Sequence, residues 1–402
     1  MKANVIEKIN ETNQKYLKNL VGKELPQRLV DQINDIHWSY LDLIGSKEQQ
    51  RGQFAPLGAM ELPEIEARRE EFKAIGIDAI KNCKVAALLL AGGQGTRLGF
   101  DKAKGMYNIG VTKDLYIFEQ LIRNLQKVTE EAGADIPLYI MTSDKNDAET
   151  RAFFEEHDYF GYNKDYIKFF VQEMVPAVDF DGNILIESED SLAMSPNGNG
   201  GWFASLVKAG LGEDMKAKGI EWINVFGVDN VLQKLADPVF VGATIQSGCV
   251  SGAKVVRKCD PYERVGALCL EDGKPSIVEY YELTPEMAEA KNEAGSLLYG
   301  FGVILNYMFS LDKLFAILEQ QMPLHIVEKK VPYIDENGVA VKPETPNAYK
   351  FETLILDMVY MMDNCLSFEA EREKEFAPIK NPTGVDSVES ARALLQQNGI
   401  EI

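Results

Sequence analysis

The chain has 402 residues, of which 46% are hydrophobic and 26% charged, a composition typical of a globular protein with two or three domains. Its formal net charge of −20 argues against a broad surface for nucleic acid or an anionic membrane, because phosphate groups attract the opposite charge. No apolar run approaches the ~20 residues of a membrane span, so we expect a cytoplasmic protein with no nucleic-acid or membrane partner.

Residues 1–81 are predicted to form an N-terminal helical segment. A first helical face is indicated by apolar residues that recur at steps of four and three: Leu29, Ile33, Ile36, Tyr40 and Leu43. Pro56, Gly58 and Pro63 interrupt the pattern, and a second helical stretch is expected from Ile65 to Ile80.

Residues 82–325 are predicted to form a central α/β domain. Short apolar runs such as "VAALLL", "PLYIMTS" and "WINVFGVDN" alternate with helical segments, which is typical of a mostly parallel sheet flanked by helices. The Asp272-Gly273 step between two apolar runs predicts an added antiparallel hairpin. Residues 326–402 are expected to form a small C-terminal domain that ends in a helix.

The glycine loop, residues 91–104, follows the first buried strand of this domain. Gly92 and Gly93 leave backbone N–H groups open to an anion, and ligands of parallel sheets bind where strands end. Arg97, Lys102 and Lys104 place three cations beside these groups in an otherwise acidic protein. The pattern predicts a polyphosphate site.

Other glycine motifs fit the loop less well. A dinucleotide fingerprint would need its third glycine at Leu98, but that glycine stands at Gly99, which counts against a dehydrogenase. The phosphate-binding pattern GxxxxGK[ST] has no match here. The sequence also lacks a recognisable Ser-His-Asp or Cys-His set for covalent catalysis.

The loop resembles the signature of the nucleotide-sugar pyrophosphorylases. "LAGGQGTRLG" with "KGMYNIG" is followed in order by "QEMVPAVDFDGNILIES", "MSPNGNGG", "VFGVDNVLQKLADP", "SGAKVVRK", "VGALCLEDGKPSIVEYYE" and "EFAPIKN". The chain is identified as a member of the UDP-sugar pyrophosphorylase family, similar above all to its eukaryotic UDP-N-acetylglucosamine enzymes, over Lys84 to Pro382. The resemblance implies a Rossmann-like nucleotide-diphospho-sugar transferase fold.

The implied reaction is attack by a sugar 1-phosphate on the α-phosphorus of UTP, with release of pyrophosphate and with Mg²⁺ as cofactor. By resemblance, Arg97 faces the departing phosphates, Lys104 neutralises the reacting centre, and Lys350 reaches the sugar phosphate. Asp229, at the end of "WINVFGVD", matches the Mg²⁺ ligand. Without the resemblance, an N-cap role for Asp229 would be about equally favoured.

The remaining predicted site residues recognise the base and the sugar. By resemblance, uracil is read by Gln172, Gly198 and the backbone of Gly92 and Gly93. Likewise, the ribose or sugar is held by Asn199, Gly266 and Glu279.

Two departures from the family pattern bear on function. The residue before the motif lysine is Ala103 where the family usually has proline, so the loop lacks one fixed φ angle. In "LLYGFGVILNYMF", Gly300 and Val303 occupy the positions of two family asparagines, the first of which binds the sugar. We therefore expect looser selectivity at C2 of the sugar, unless Asn306, one or two helical turns on, or a backbone group replaces the lost contact.

The sequence thus predicts a uridylyltransferase with N-acetylglucosamine 1-phosphate as the favoured substrate. Glucose 1-phosphate or galactose 1-phosphate is the alternative. A non-catalytic nucleotide-sugar binding protein is a rival of another class, although binding alone would not require Arg97, Lys104 and Asp229 together. The sequence does not determine the oligomeric state, and a monomer is favoured.

Overall fold

The computed structural model describes residues 1–44, 51–320 and 322–402. Within these residues the strands are β1 (Phe54–Pro56), β2 (Val85–Leu90), β3 (Leu138–Thr142), β4 (Ile167–Val171), β5 (Met174–Pro176), β6 (Val178–Asp179), β7 (Ile186–Ser188), β8 (Ser191–Leu192), β9 (Met194–Pro196), β10 (Trp222–Gly227), β11 (Ser251–Arg257), β12 (Ala267–Glu271), β13 (Lys274–Val278), β14 (Phe301–Ser310), β15 (His325–Lys329), β16 (Tyr333–Ile334), β17 (Ala340–Val341), β18 (Ala348–Glu352) and β19 (Leu366–Glu369).

The α-helices of the same residues are α1 (Ala3–Glu11), α2 (Gln27–Asn34), α3 (Leu62–Ala67), α4 (Arg69–Lys81), α5 (Ile117–Ala132), α6 (Asp147–Glu156), α7 (Trp202–Lys208), α8 (Leu211–Ala217), α9 (Pro238–Ser247), α10 (Pro285–Glu289), α11 (Leu311–Ile317), α12 (Ile355–Tyr360), α13 (Arg372–Glu375) and α14 (Val388–Gln397). No helix of these residues is long and apolar enough to cross a membrane.

The chain divides into two compact units. The smaller unit consists of Met1–Arg51, Glu173–Gly201 and Met322–Ile355, and the larger unit of Gly52–Gln172, Trp202–Gln321 and Leu356–Ile402. The segment 1–81 is therefore shared between the units, and so is the segment 326–402.

The larger unit is built on a mixed ten-stranded sheet. Its parallel half has the order β10-β2-β3-β4, and β10 pairs antiparallel with β14. The antiparallel half joins β14 to β11 and β12, and β12 forms a hairpin with β13 around Asp272-Gly273, as predicted. Strands β2 and β3 are buried along their whole length, as expected where helices cover both faces of a sheet.

The smaller unit has its own sheets and its own core. Strands β15, β18 and β6 form one antiparallel sheet, and three short pairs accompany it: β5 with β9, β7 with β8 and β16 with β17. Apolar residues of α1 and α2 are buried among these strands, including Ile9, Leu29 and Ile33.

The predicted N-terminal helices are only partly confirmed. Helix α2 carries Leu29 and Ile33 but ends at Asn34, and Trp38–Leu43 is a short 3₁₀ turn instead of a continuation. Asn34 and Asp35 form the break, because their side chains compete with the backbone for hydrogen bonds and disfavour a helix interior. The second predicted stretch is confirmed as α3 and α4. The side chain of Leu43 lies outside the described residues.

Candidate active site

The parallel strands bring the predicted nucleotide residues to one edge of the sheet. Leu90, the last residue of β2, pairs with Gly227 of β10 and with Met141 of β3, and Thr142 pairs with Val171 of β4. Since parallel strands end at the same edge, the residues that follow them meet there. We call this the carboxyl edge; it includes Gly92, Gln172 and Asp229.

The glycine loop is closed by its own backbone hydrogen bonds. Gly95 N–H donates to Lys102 O over 2.9 Å, and Lys104 N–H donates to Gly93 O over 3.1 Å. Gly93 is exposed, and a Cβ added to it would have no atom within 4 Å. The turn therefore leaves its glycine backbone open toward solvent, as a phosphate-binding loop requires.

Lys104 and Asp229 form an ion pair across the edge. Lys104 Nζ lies 2.5 Å from Asp229 Oδ1, with the lysine side chain 8% exposed and the aspartate 43% exposed. Burial lowers the pKa of Lys104, Asp229 opposes this effect, and the positive charges of Arg97 and Lys380 lower the pKa further. The pair thus joins a buried cation to a carboxylate that solvent and ligands can reach.

Lys380 is a candidate site residue to which the sequence analysis assigned no role. Ile379 N–H donates to Asp229 O over 2.8 Å, which fixes the segment before Lys380 beside the aspartate. Asn230 holds the same segment, because its side chain donates to Glu375 O and accepts from Ala377 N–H. Lys380 is the lysine of "EFAPIKN", a stretch that resembles the family. That stretch belongs to no strand end or glycine loop, so the sequence analysis did not consider it for the site.

Gln172 lies against the glycine loop, as a uracil reader at this edge should. A Cβ built on Gly92 would be 3.0 Å from Gln172 Oε1. Gln172 is buried, and its backbone N–H donates to Thr142 O over 2.9 Å. The structure therefore brings these two predicted residues together.

Gly266 and Glu279 are neighbours at the open end of the β12–β13 hairpin. Ala267 pairs with Val278, and a Cβ on Gly266 would lie 3.5 Å from Glu279 Oε1. Val303 N–H donates to Gly266 O over 2.9 Å, so the start of β14 joins this group. The predicted sugar residues Gly266 and Glu279 thus lie together, with Val303 beside them.

Gly300 and Asn306 differ from what the sequence suggested. Residues 301–310 form a strand, so Asn306 is not one or two helical turns on. Asn306 is fully buried; it accepts from Asn224 Nδ2 and donates to Lys234 O. A Cβ at Gly300 would lie 2.8 Å from Leu297 O, so the backbone here has no room for a larger residue without a shift.

Gly198, Asn199 and Lys350 belong to the smaller unit. Gly198 has φ +88°, and a Cβ there would lie 2.1 Å from Thr353 O, so only glycine fits. Asn199 Oδ1 accepts the backbone N–H of Ile355 over 3.0 Å, a structural contact in addition to its predicted role. Lys350 lies in β18, opposite Val327 of β15.

The side chains at the carboxyl edge show whether the protein could hold a metal ion there. Among the residues the structure describes, no group of three or more His, Cys, Asp or Glu side chains could hold a metal by itself. Asp229 offers one partly exposed carboxylate. Such a site fits Mg²⁺ only where substrate phosphates and water complete the octahedron, which is the usual arrangement for this ion.

A mixed sheet whose parallel half ends in a glycine loop, clustered cations and an acidic residue at the carboxyl edge is typical of a nucleotidyltransferase. The model of the family UTP–glucose-1-phosphate uridylyltransferase matches residues 41–401, and the chain belongs to this family of UDP-sugar pyrophosphorylases.

Two curated relatives and a solved structure agree with this assignment. The chain is 41% identical to UDP-N-acetylhexosamine pyrophosphorylase-like protein 1 of Xenopus tropicalis, over 93% of this chain and 72% of the relative. It is 38% identical to UDP-N-acetylglucosamine pyrophosphorylase of Saccharomyces cerevisiae, over 94% of this chain and 82% of the relative. The uridine diphosphate N-acetylglucosamine pyrophosphorylase of Trypanosoma brucei, solved in complex with an inhibitor, superposes with TM-score 0.82 at 26% identity, covering 99% of this chain and 85% of the other.

Proposed function

We propose that the chain transfers the uridylyl group of UTP to N-acetylglucosamine 1-phosphate and releases pyrophosphate. The observation that carries this proposal is the Lys104–Asp229 pair at the carboxyl edge, with the positive charges of Arg97 and Lys380 beside it. The Saccharomyces cerevisiae relative is named for the same sugar, and the Xenopus tropicalis relative for an N-acetylhexosamine.

The reaction needs charge control more than a covalent nucleophile. An oxygen of the sugar phosphate forms a bond to the α-phosphorus, and the bond from that phosphorus to the bridging oxygen breaks, so that the electron pair leaves with pyrophosphate. Lys104, Arg97 and Lys380 offset the negative charge of the two substrates and of the leaving group. The contribution of this chain's own residues is therefore positioning and electrostatic stabilisation.

Asp229 would hold Mg²⁺ as a cofactor, and the ion would supply positive charge to the substrate phosphates. The carboxylate is accessible enough to reach an ion, and its pairing with Lys104 holds it at the edge. Gln172 and the neighbouring Gly92 backbone would bind the uracil, and the group around Gly266 and Glu279 would bind the sugar hydroxyls.

A second candidate substrate is supported by the start of β14. Val303 replaces an amide side chain and Asn306 is committed to buried hydrogen bonds, so the described residues of this strand offer little polar contact to an acetamido group. Glucose 1-phosphate or galactose 1-phosphate would then also be accepted.

The test is to incubate the protein with UTP, Mg²⁺ and each of the three sugar 1-phosphates, and to measure pyrophosphate. The expected result is turnover with N-acetylglucosamine 1-phosphate that disappears when EDTA is added. A preference of several thousandfold for N-acetylglucosamine 1-phosphate would contradict the looser pocket. A preference of several thousandfold for glucose 1-phosphate would contradict the main proposal. If no pyrophosphate is released with any of the three sugar phosphates, only nucleotide-sugar binding would remain as a function.

A further inference from the structure

Both ends of the glycine loop contact the beginning of α6. Asn146, fully buried and immediately before α6, donates its Nδ2 to Ala91 O over 3.1 Å. Glu149, in the first turn of α6, accepts the backbone N–H of Ala103 at Oε1 over 2.9 Å. One turn of a helix thus fixes the residue at which the loop begins and the residue at which it ends.

The Ala103 N–H group has no partner in the loop's own hydrogen bonding. Ala103 stands opposite Gln94 in an antiparallel bridge whose two hydrogen bonds belong to the flanking residues, Gly95 with Lys102 and Lys104 with Gly93. Ala103 is fully buried, so an unpaired N–H would be costly there. Glu149 Oε1 accepts this N–H and so satisfies it.

The residue after Ala103 is Lys104, whose Nζ lies 2.5 Å from Asp229 Oδ1. We propose that Glu149 is a positioning residue for uridylyl transfer: it accepts the Ala103 N–H and so fixes the end of the loop from which Lys104 reaches Asp229. Glu149 acts through the loop and does not touch the reacting groups. The inference rests on the proposed function of this loop.

The backbone conformation of Ala103 allows this inference to be tested by substitution with proline. Its φ of −53° and ψ of 131° lie in the range that proline adopts. A proline at this position would fix φ without any N–H to satisfy, and its ring would occupy the space next to the nitrogen where Glu149 Oε1 now lies. The same turn can therefore be held in two ways: by Glu149 with alanine at position 103, or by proline at position 103 with a smaller residue at position 149.

The experiment compares Glu149→Gln, Glu149→Met, Ala103→Pro and the double variant Ala103→Pro/Glu149→Ala, with Glu155→Met at an exposed site on α6 as the control. We measure kcat and KM for UTP, and hydrogen exchange of the Ala103 amide. Glutamine keeps an acceptor oxygen, so Glu149→Gln should remain within about twofold of wild type, whereas Glu149→Met should lose about tenfold in kcat/KM. Ala103→Pro alone should also lose activity, and the double variant should recover most of it.

The exchange measurement separates this inference from the proposed function. In Glu149→Met the Ala103 amide should exchange faster, and in Glu149→Gln it should not, whatever reaction the protein catalyses. Inactivity of the wild type would contradict the proposed function. The positioning role would be overturned if Glu149→Met has the kinetics of the wild type, or if Glu149→Gln loses as much activity as Glu149→Met. It would also be overturned if the double variant recovers no activity. If Glu149→Met fails to fold, a folded and active double variant supports the role and an unfolded one overturns it.

Discussion

In the parallel half of the ten-stranded sheet, charged side chains follow the strands: Lys104 after β2 and Asp229 after β10 form an ion pair there. In the antiparallel half, the cluster around Gly266 consists largely of glycine, valine and backbone groups, with Glu279 at its side. Phosphoryl transfer requires fixed charge, whereas a sugar ring can be selected by shape and a few hydrogen bonds. We therefore expect mutations in the parallel half to lower the catalytic rate strongly, and mutations in the antiparallel half to change sugar selectivity by a small factor.

The largest effect is expected for Asp229→Asn. The substitution removes the carboxylate that pairs with Lys104 and that we propose as the Mg²⁺ ligand, so kcat should fall by a factor of about 10²–10³. The measurement is kcat at saturating Mg²⁺, with Tm to verify folding. Asp101→Asn, at an exposed position of the same loop, is the control and should stay near wild type. A kcat close to wild type in Asp229→Asn would contradict the proposed role of this carboxylate in catalysis.

Gln172→Ala tests whether the parallel half also selects the base. Gln172, which we propose as the uracil reader, is buried against Gly92, so its loss would leave one uracil edge without a partner. We expect the preference for UTP over CTP to fall by about tenfold or more in kcat/KM. The same substitution at exposed Gln396 should leave the preference unchanged. An unaltered UTP:CTP ratio in Gln172→Ala would return this residue to a structural role.

The pH dependence of kcat/KM for UTP tests the environment of Lys104. The lysine must be protonated to offset phosphate charge, so activity falls as pH rises through its pKa, which burial places below the ordinary 10.5. Arg97→Gln removes a positive charge that lowers this pKa, so the alkaline fall should move to higher pH. Lys102→Gln is the control. A fall that moves to lower pH, or that lies above 10.5 in the wild type, would contradict the assignment.

The smallest effect is expected for Val303→Asn in the antiparallel half. The change supplies an amide side chain next to Gly266, whose carbonyl already accepts the Val303 N–H. The preference for N-acetylglucosamine 1-phosphate over glucose 1-phosphate should rise by a factor of about 3–10, which corresponds to roughly 1 kcal/mol of discrimination. Val303→Ala controls for the change in size. A loss of kcat as large as that of Asp229→Asn would erase the difference between the two halves.

Hydrophobic pattern and local motifs predicted much of the larger unit. The runs that became β2, β3 and β10, the hairpin at Asp272-Gly273 and the glycine loop all have signals within a few residues of chain. For the glycine loop, the strand-end rule predicted the place of the site, whereas Gln172 and Asp229 were predicted from the family resemblance. The break of α2 at Asn34 was missed because the apolar spacing continues beyond it through Ile36, Tyr40 and Leu43. The strand that contains Asn306 was missed because it pairs with strands distant in sequence.

The sequence by itself predicted the α/β character from residue type and short spacing, and it predicted the family and the roles of Arg97, Lys104 and Asp229 from an ordered set of motifs that resembles a known family. Only the tertiary structure decided which groups hold the charged residues in place. Lys380 lies beside the Asp229 segment through contacts of Asn230 across 145 residues, and Glu149 reaches Ala103 across 46. Asn306 turned out to be bound in the core by Asn224, 82 residues away. Hydrogen bonds between residues so far apart leave no periodic pattern in the chain, because they form only when folding brings the segments together.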